Sequence, residues 1–125
     1  MVDITPMIAA DRKLIQSYKA GKFQISGEFY TEPVLVFPDR VSIWNVPTSP
    51  KELETSHFAP IIGANNVDVL LFGAGEKAYF LPEEIRNFLR DTGIIVECMD
   101  TGAACRTYNV LLAEERNVAV AIYPV

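Results

Sequence analysis

One stretch constrains the fold more than any other: Gly93 to Arg116, GIIVECMDTGAACRTYNVLLAEER. Ile94, Ile95 and Val96 are β-branched in succession, and Cys98 and Met99 continue the apolar run. A run without alternation predicts a strand covered on both faces, as in a parallel sheet. Asp100 or Thr101 can cap the helix after it, because either side-chain oxygen accepts an amide proton of the first turn. Ala104, Cys105, Tyr108, Leu111 and Leu112 then recur at helical spacing as one apolar face. Gly102, Ala103 and Ala104 leave the backbone amides of the helix start open to approach, and the positive end of the helix dipole favours an anion or a carbonyl oxygen there. Arg106 lies one turn in, and Asn109, three residues on, falls near the same side. Chemistry, if the chain performs any, is expected at this turn.

The remaining segments supply the rest of the sheet. Residues 1–21 read as an extended arm with a short helical turn, from which Ile4, Met7, Ile8, Leu14, Ile15 and Tyr18 can cover part of the core. Lys22 to Tyr30 alternates and reads as one half-exposed strand. Pro33 to Phe37 and Arg40 to Val46, joined by Pro38 and Asp39, read as an antiparallel hairpin, with Val41, Ile43 and Trp44 as its buried residues. Thr48 or Ser49 precedes a proline-started short helix through His57, and Pro60 and Gly63 interrupt the connector from Phe58 to Asn66. Val67 to Phe72 is a second strong strand, ending in Gly73-Ala74-Gly75. Pro82, Glu83 and Glu84 open a helix whose apolar face is Ile85, Phe88 and Leu89, with Gly93 as its left-handed cap. Val118 to Tyr123 closes the chain as a last strand. The second half thus reads β-α-β-α-β, with right-handed crossovers and parallel strands. The expected fold is α/β: three layers, a central mixed sheet with helices on its faces, and an antiparallel N-terminal hairpin.

At 125 residues the chain is expected to be a single domain, residues 1–125, and half its residues are hydrophobic. A net charge of −5, with both signs interspersed, argues against nucleic acid and against an anionic membrane surface as partners. Cys98 and Cys105 make no disulfide framework. Their C-x6-C spacing matches no common zinc pattern, and the single histidine, His57, is remote, so no metal site is expected. The N-terminus lacks a basic region and a long apolar core. No apolar run approaches the roughly 20 residues of a membrane helix. About six short strands fall below the roughly eight of the smallest outer-membrane barrels. The expected location is cytoplasmic.

In an open α/β sheet, ligands gather beyond the carboxyl ends of parallel strands. Two such ends are readable, Gly73-Ala74-Gly75 and Met99-Asp100-Thr101. If their strands are neighbours, the glycine loop and the helix start at Gly102 flank one crevice. The candidate binding residues are therefore Gly73, Ala74, Gly75, Met99, Asp100, Thr101, Gly102, Cys105, Arg106 and Asn109. Each also has a structural reading: turn glycines, a capping Asp100, a surface Arg106, a buried Cys105. The loop GAG is too short for a dinucleotide or P-loop fingerprint, so no cofactor is expected. No nucleophile–base pair is legible, and no catalytic residue is assigned.

The string MDT-x-AACRTYN, with LLFGAG and the proline-started helix before it, resembles the Mth938-like family of uncharacterised bacterial proteins, which includes a mitochondrial complex I (NADH dehydrogenase) assembly factor. The resemblance is strongest over residues 67–124, and YKAGKFQISGEFY and VSIWNV fit it more loosely. It implies a three-layer α/β fold and no established enzymatic activity, and for the mitochondrial branch it implies a role in assembling respiratory complex I through protein contacts. The mitochondrial members differ at the arginine after the helix cysteine, so Arg106 is expected to mark the bacterial type. Two functions stand as expectations. The first is a non-enzymatic binding or assembly module. The alternative is a small-molecule or anion site, with or without catalysis, in the crevice between residues 73–75 and the helix over 102–116.

Overall fold

The computed structural model describes residues 2–3, 12–64 and 66–125. Its strands form two sheets. The smaller is an antiparallel meander of β1 (Val2–Asp3), β2 (Ile15–Lys19), β3 (Lys22–Ile25) and β4 (Glu28–Tyr30). The larger has the order β6 (Arg40–Ile43), β5 (Val34–Phe37), β9 (Val118–Ile122), β7 (Val69–Gly73), β8 (Ile95–Met99). In it β5 runs antiparallel to β6 and β9, while β7 runs parallel to both β8 and β9. A short helix, α1 (Ala59–Ile62), comes after two 3-10 turns, Pro50–Glu52 and Thr55–Phe58. The helix α2 (Glu83–Asp91) connects β7 to β8, and α3 (Thr101–Ala113) connects β8 to β9.

The strand order explains the layers. β8 and β9 lie on opposite sides of β7, so two right-handed crossovers must put their helices on opposite faces. On one face, Leu70, Phe72, Ala119 and Ala121 meet Ile85 and Leu89 of α2, with Phe58 and Ile61 beside them. Trp44 sits in this layer, edge-on to Phe58, Phe72 and Tyr123, and its Nε1 donates to the His57 carbonyl at 2.9 Å. On the other face, Leu71, Val118, Val120 and Ile122 meet Ala104, Cys105, Tyr108 and Leu112 of α3. Ile15, Phe23 and Ile25 of the small sheet close the same core. Each fully buried Leu or Ile contributes about 1.5–3 kcal/mol, so these two clusters, not local propensity, hold the layers together.

The three-layer α/β fold with a mixed central sheet is the one expected. Three local expectations fail in the rest of the chain: β8 is not covered on both faces but is an edge strand with Ile95 63% exposed, Phe88 of α2 is exposed, and the short helix through His57 is two 3-10 turns, with α1 in the connector after it. The other differences lie in the N-terminal third and at element ends. Lys22 to Tyr30 is two strands rather than one, because Ser26 (φ 46°) and Gly27 (φ 88°) form a tight turn of left-handed residues. Ala20 (φ 54°) and Gly21 (φ 75°) do the same between β2 and β3. These two turns raise the strand count above the expected six. Ile4, Met7 and Ile8 lie outside the described residues. Ile43 is exposed rather than buried, because β6 is an edge strand. Pro82 stands at the N-cap of α2, one position before that expected, and Gly93 (φ 88°) takes the expected left-handed conformation after the last turn.

Candidate functional site

β7 and β8 are neighbours, with Gly73 and Met99 as register partners. The two turns that carry the candidate residues therefore meet. They meet in direct contact. Ala74 N donates to Met99 O at 3.2 Å, and Thr101 N donates to Gly75 O at 2.8 Å. Gly75 N donates to Thr101 Oγ1 at 2.9 Å, and that hydroxyl donates to Tyr123 O at 2.7 Å. Tyr123 N in turn donates to Gly73 O at 2.9 Å. One fully buried threonine thus ties the ends of β7, β8 and β9 together. Packing is equally close, since a Cβ built on Gly73 would stand 2.9 Å from Thr101 Cα and 2.8 Å from Ile122 Cγ2.

The helix start is engaged from within. Asp100 is the N-cap, and its Oδ1 accepts from Ala103 N at 2.8 Å. Ala104 N donates to Asp100 O at 3.0 Å. Gly102 is bare because an aromatic ring lies against it: an added Cβ would meet Tyr18 Oη at 2.8 Å. Tyr18 also accepts a hydrogen bond from Arg106 Nη1. One turn on, the buried Asn109 binds β2 in both directions. Its Nδ2 donates to Ile15 O at 2.7 Å, and its Oδ1 accepts from Ile15 N at 3.1 Å. Tyr108 Oη donates to Lys13 O at 3.1 Å.

The ten candidate residues fall into three groups. Gly73, Ala74, Gly75, Met99, Asp100 and Thr101 form the junction of strand ends. Gly102, Arg106 and Asn109 line the flank of α3 that holds the small sheet. Cys105 points into the core between them with no exposure, and burial pushes its thiol from 9.0 up to about 12, against a smaller lowering by Arg106. It is a protonated, enclosed thiol at neutral pH. Cys98 is half-buried on β8 against the α2 side of the sheet.

Tyr18 and Ile15, expected from the sequence only as cover for the core, are also the partners of Gly102, Arg106 and Asn109. The signal for those contacts was weak because the β2–β3 register shifts between Ile15 and Ser17. That irregularity puts the apolar positions 15 and 18 three apart, as in a helix, rather than two.

Open space lies on the other side of the glycine loop. A cavity of about 360 Å³ adjoins Ala74 and is bordered by Ser49, Pro50, Lys51, Lys77 and Tyr79. Among the described residues, no three acidic, histidine or cysteine side chains gather as metal ligands, and no helix is long and apolar enough to cross a membrane.

Comparison with known proteins agrees with this architecture. The chain is 31% identical over 117 residues to NADH dehydrogenase (ubiquinone) 1 alpha subcomplex assembly factor 3 of Xenopus tropicalis, a match covering 93% of the chain. It spans 63% of the length of that relative. It is 32% identical over 108 residues to the 13 kDa major membrane protein of Francisella tularensis, covering 86% of this chain and 87% of that one. The solution structure of a Bordetella pertussis protein described as an Mth938-like domain superposes with a TM-score of 0.79 at 27% identity, covering 99% of this chain and 92% of that one. The fold is Mth938-like. Residues 15–123 match the family described as protein of unknown function (DUF498/DUF598), and the chain belongs to that family.

Proposed function

We propose that this chain is a non-enzymatic protein-binding module that serves the assembly of a respiratory complex of the NADH dehydrogenase type, from the cytoplasmic side. The observation that carries this reading is the likeness to a named assembly factor across 93% of the chain. Physical support comes from the helix start. Asp100, Thr101, Arg106 and Asn109 all direct hydrogen bonds to other parts of the same chain, so the residues best suited to chemistry hold the fold together. Large apolar side chains stand exposed instead, among them Phe80 (74%) and Ile95 (63%). Deleting the gene in the source cell and resolving its respiratory complexes on native gels tests the reading. A reduced amount of assembled NADH dehydrogenase, with subassemblies accumulating, is the expected result. An unchanged amount overturns it. Cell fractionation tests the location.

A second reading is a small-ligand site at the glycine loop. The cavity beside Ala74 favours it, because two ammonium groups, Lys51 and Lys77, border an apolar floor of Pro50, Ala78 and Tyr79 at the carboxyl end of β7. Glu76 borders the cavity too, so the lining carries one net positive charge, and a monoanion with an apolar body suits it. Titration with short-chain carboxylates, read by amide shifts, is expected to move Ala74 and Lys77 in the parent and not in the Lys51→Ala, Lys77→Ala double variant. Equal shifts in both proteins remove this reading.

A further inference from the structure

β8 is an edge strand, and among the described residues its one strand partner is β7. Its register shows which backbone groups remain. Ile95 N donates to Asp68 O at 3.0 Å, and Met99 O accepts from Ala74 N at 3.2 Å. In a parallel ladder each residue directs both backbone groups to one side, and the sides alternate. Ile95, Glu97 and Met99 therefore turn to β7. The N–H and C=O of Val96 and Cys98 point out of the sheet.

The side chains alternate between the faces. Ile95, Glu97 and Met99 stand beside Val69, Leu71 and Gly73, on the α3 face. Val96 and Cys98 pack on the α2 side. Because α3 crosses mainly over β7 and β9, it leaves Ile95 and Glu97 exposed. The charge here is one-sided. From Ile95 to Ala113 the acidic residues are Glu97 and Asp100, and the single basic residue, Arg106, is bonded to Tyr18 on the opposite flank of α3.

We propose that the open edge of β8 receives an extended segment of a partner protein, with a lysine or arginine opposite Glu97 and apolar residues opposite Ile95 and Met99. Val96 and Cys98 supply the backbone hydrogen bonds, and the alternate side chains supply the selectivity. A second copy of this chain meets the requirement poorly: the other edge of the five-stranded sheet, β6, carries one cation, Arg40, which is already held by Asp39 and stacked over the Phe37 ring. In the central two-fold antiparallel registers of β8 against itself, Glu97 faces another Glu97, Ile95 or Met99, and none provides the cation. The occupant is a different chain with basic character. This surface rests on the binding-module reading above and assigns it a place.

The test uses the full chain and a defined probe, the acetylated and amidated peptide Thr-Val-Thr-Lys-Thr-Val-Thr, with a control in which Glu replaces the central Lys. Amide shifts on titration are expected to be largest at Val96 and Cys98. The Lys peptide is expected to bind about fivefold more tightly at low salt, the size expected from exchanging a like-charge for an opposite-charge cross-strand pair. Glu97→Lys should reverse that preference. Val96→Pro removes an outward donor while sparing the bonds to β7, and should abolish binding of both peptides. Equal affinity of the two peptides, no binding of either, shifts centred elsewhere, or an unaltered preference in Glu97→Lys would each overturn the assignment. Glu97→Lys introduced in the source cell separates the two readings. If deletion impairs complex assembly and Glu97→Lys does not, this surface is wrong and the module stands. If deletion has no effect, the module reading is the one that fails.

Discussion

Asn109→Ala tests the claim that the polar flank of α3 is a joint between layers. The side chain is 2% exposed and bonds both backbone groups of Ile15, which is itself fully buried. Truncation leaves an N–H and a C=O without partners. Each buried group left unsatisfied costs about 1–3 kcal/mol, so the expected loss is about 3 kcal/mol once some relaxation is allowed. At this chain length that corresponds to a fall in Tm of about 10–15 °C. Urea denaturation followed by the single tryptophan, Trp44, measures it from the opposite core. Hydrogen exchange gives the local readout, since the Ile15 amide should lose its protection. Asn109→Asp is the companion variant. Its carboxylate still accepts from Ile15 N but cannot donate to Ile15 O until protonated, so its stability should rise as pH falls. A loss under about 1 kcal/mol for Asn109→Ala, or an Ile15 amide that exchanges as in the parent, would refute the joint.

Gly73→Ala places a methyl group within 3 Å of Thr101 and Ile122, and should lower stability by about 1–3 kcal/mol in thermal unfolding. Thr101→Val removes the hydroxyl shared by Gly75 N and Tyr123 O, and about 2 kcal/mol of stability is expected to go with it, most of which Thr101→Ser should restore in chemical denaturation. Burial raises the Cys105 thiol from 9.0 and the Tyr123 phenol from 10.0, both to about 12, and raises the Tyr108 phenol as well. The unfolded chain releases these protons first, so stability is full below pH 9.0 and declines as pH rises toward about 12, and Cys105→Ala should remove the earliest part of that decline in a pH series of melts. With a thiol alkylating reagent at neutral pH, the native protein should label at Cys98 and leave Cys105 unmodified until unfolding, which peptide mass mapping reads directly.

The second half of the chain was legible because its signals are local. The apolar run from Ile94, broken by Glu97 alone, the capping Asp100, the left-handed Gly93 and the helical spacing of Ala104, Cys105, Tyr108 and Leu112 each carry their own physics within a few residues. Crossover handedness then leaves few arrangements for β-α-β-α-β. The first half was harder to read because its turns use Ala20-Gly21 and Ser26-Gly27, without the asparagine or aspartate that marks such hairpins. The register shift at Ile15 also hid the period of β2.

The sequence by itself determined most of the residues that face inward, though not that Ile43, Phe88 and Ile95 stand exposed, and it showed that two strand-end turns exist. It also determined that a helix begins with small residues and an acidic cap. Only the tertiary structure decided what those features are for. Gly102 reads as an open approach to backbone amides until the ring of Tyr18, 84 positions away, is found against it. Asn109 reads as a ligand group until both its amide atoms are found on Ile15. Short-range pattern fixes what a residue can bond to. Which partner arrives depends on the docking of a sheet distant along the chain, and that docking is settled by the apolar area two cores bury together.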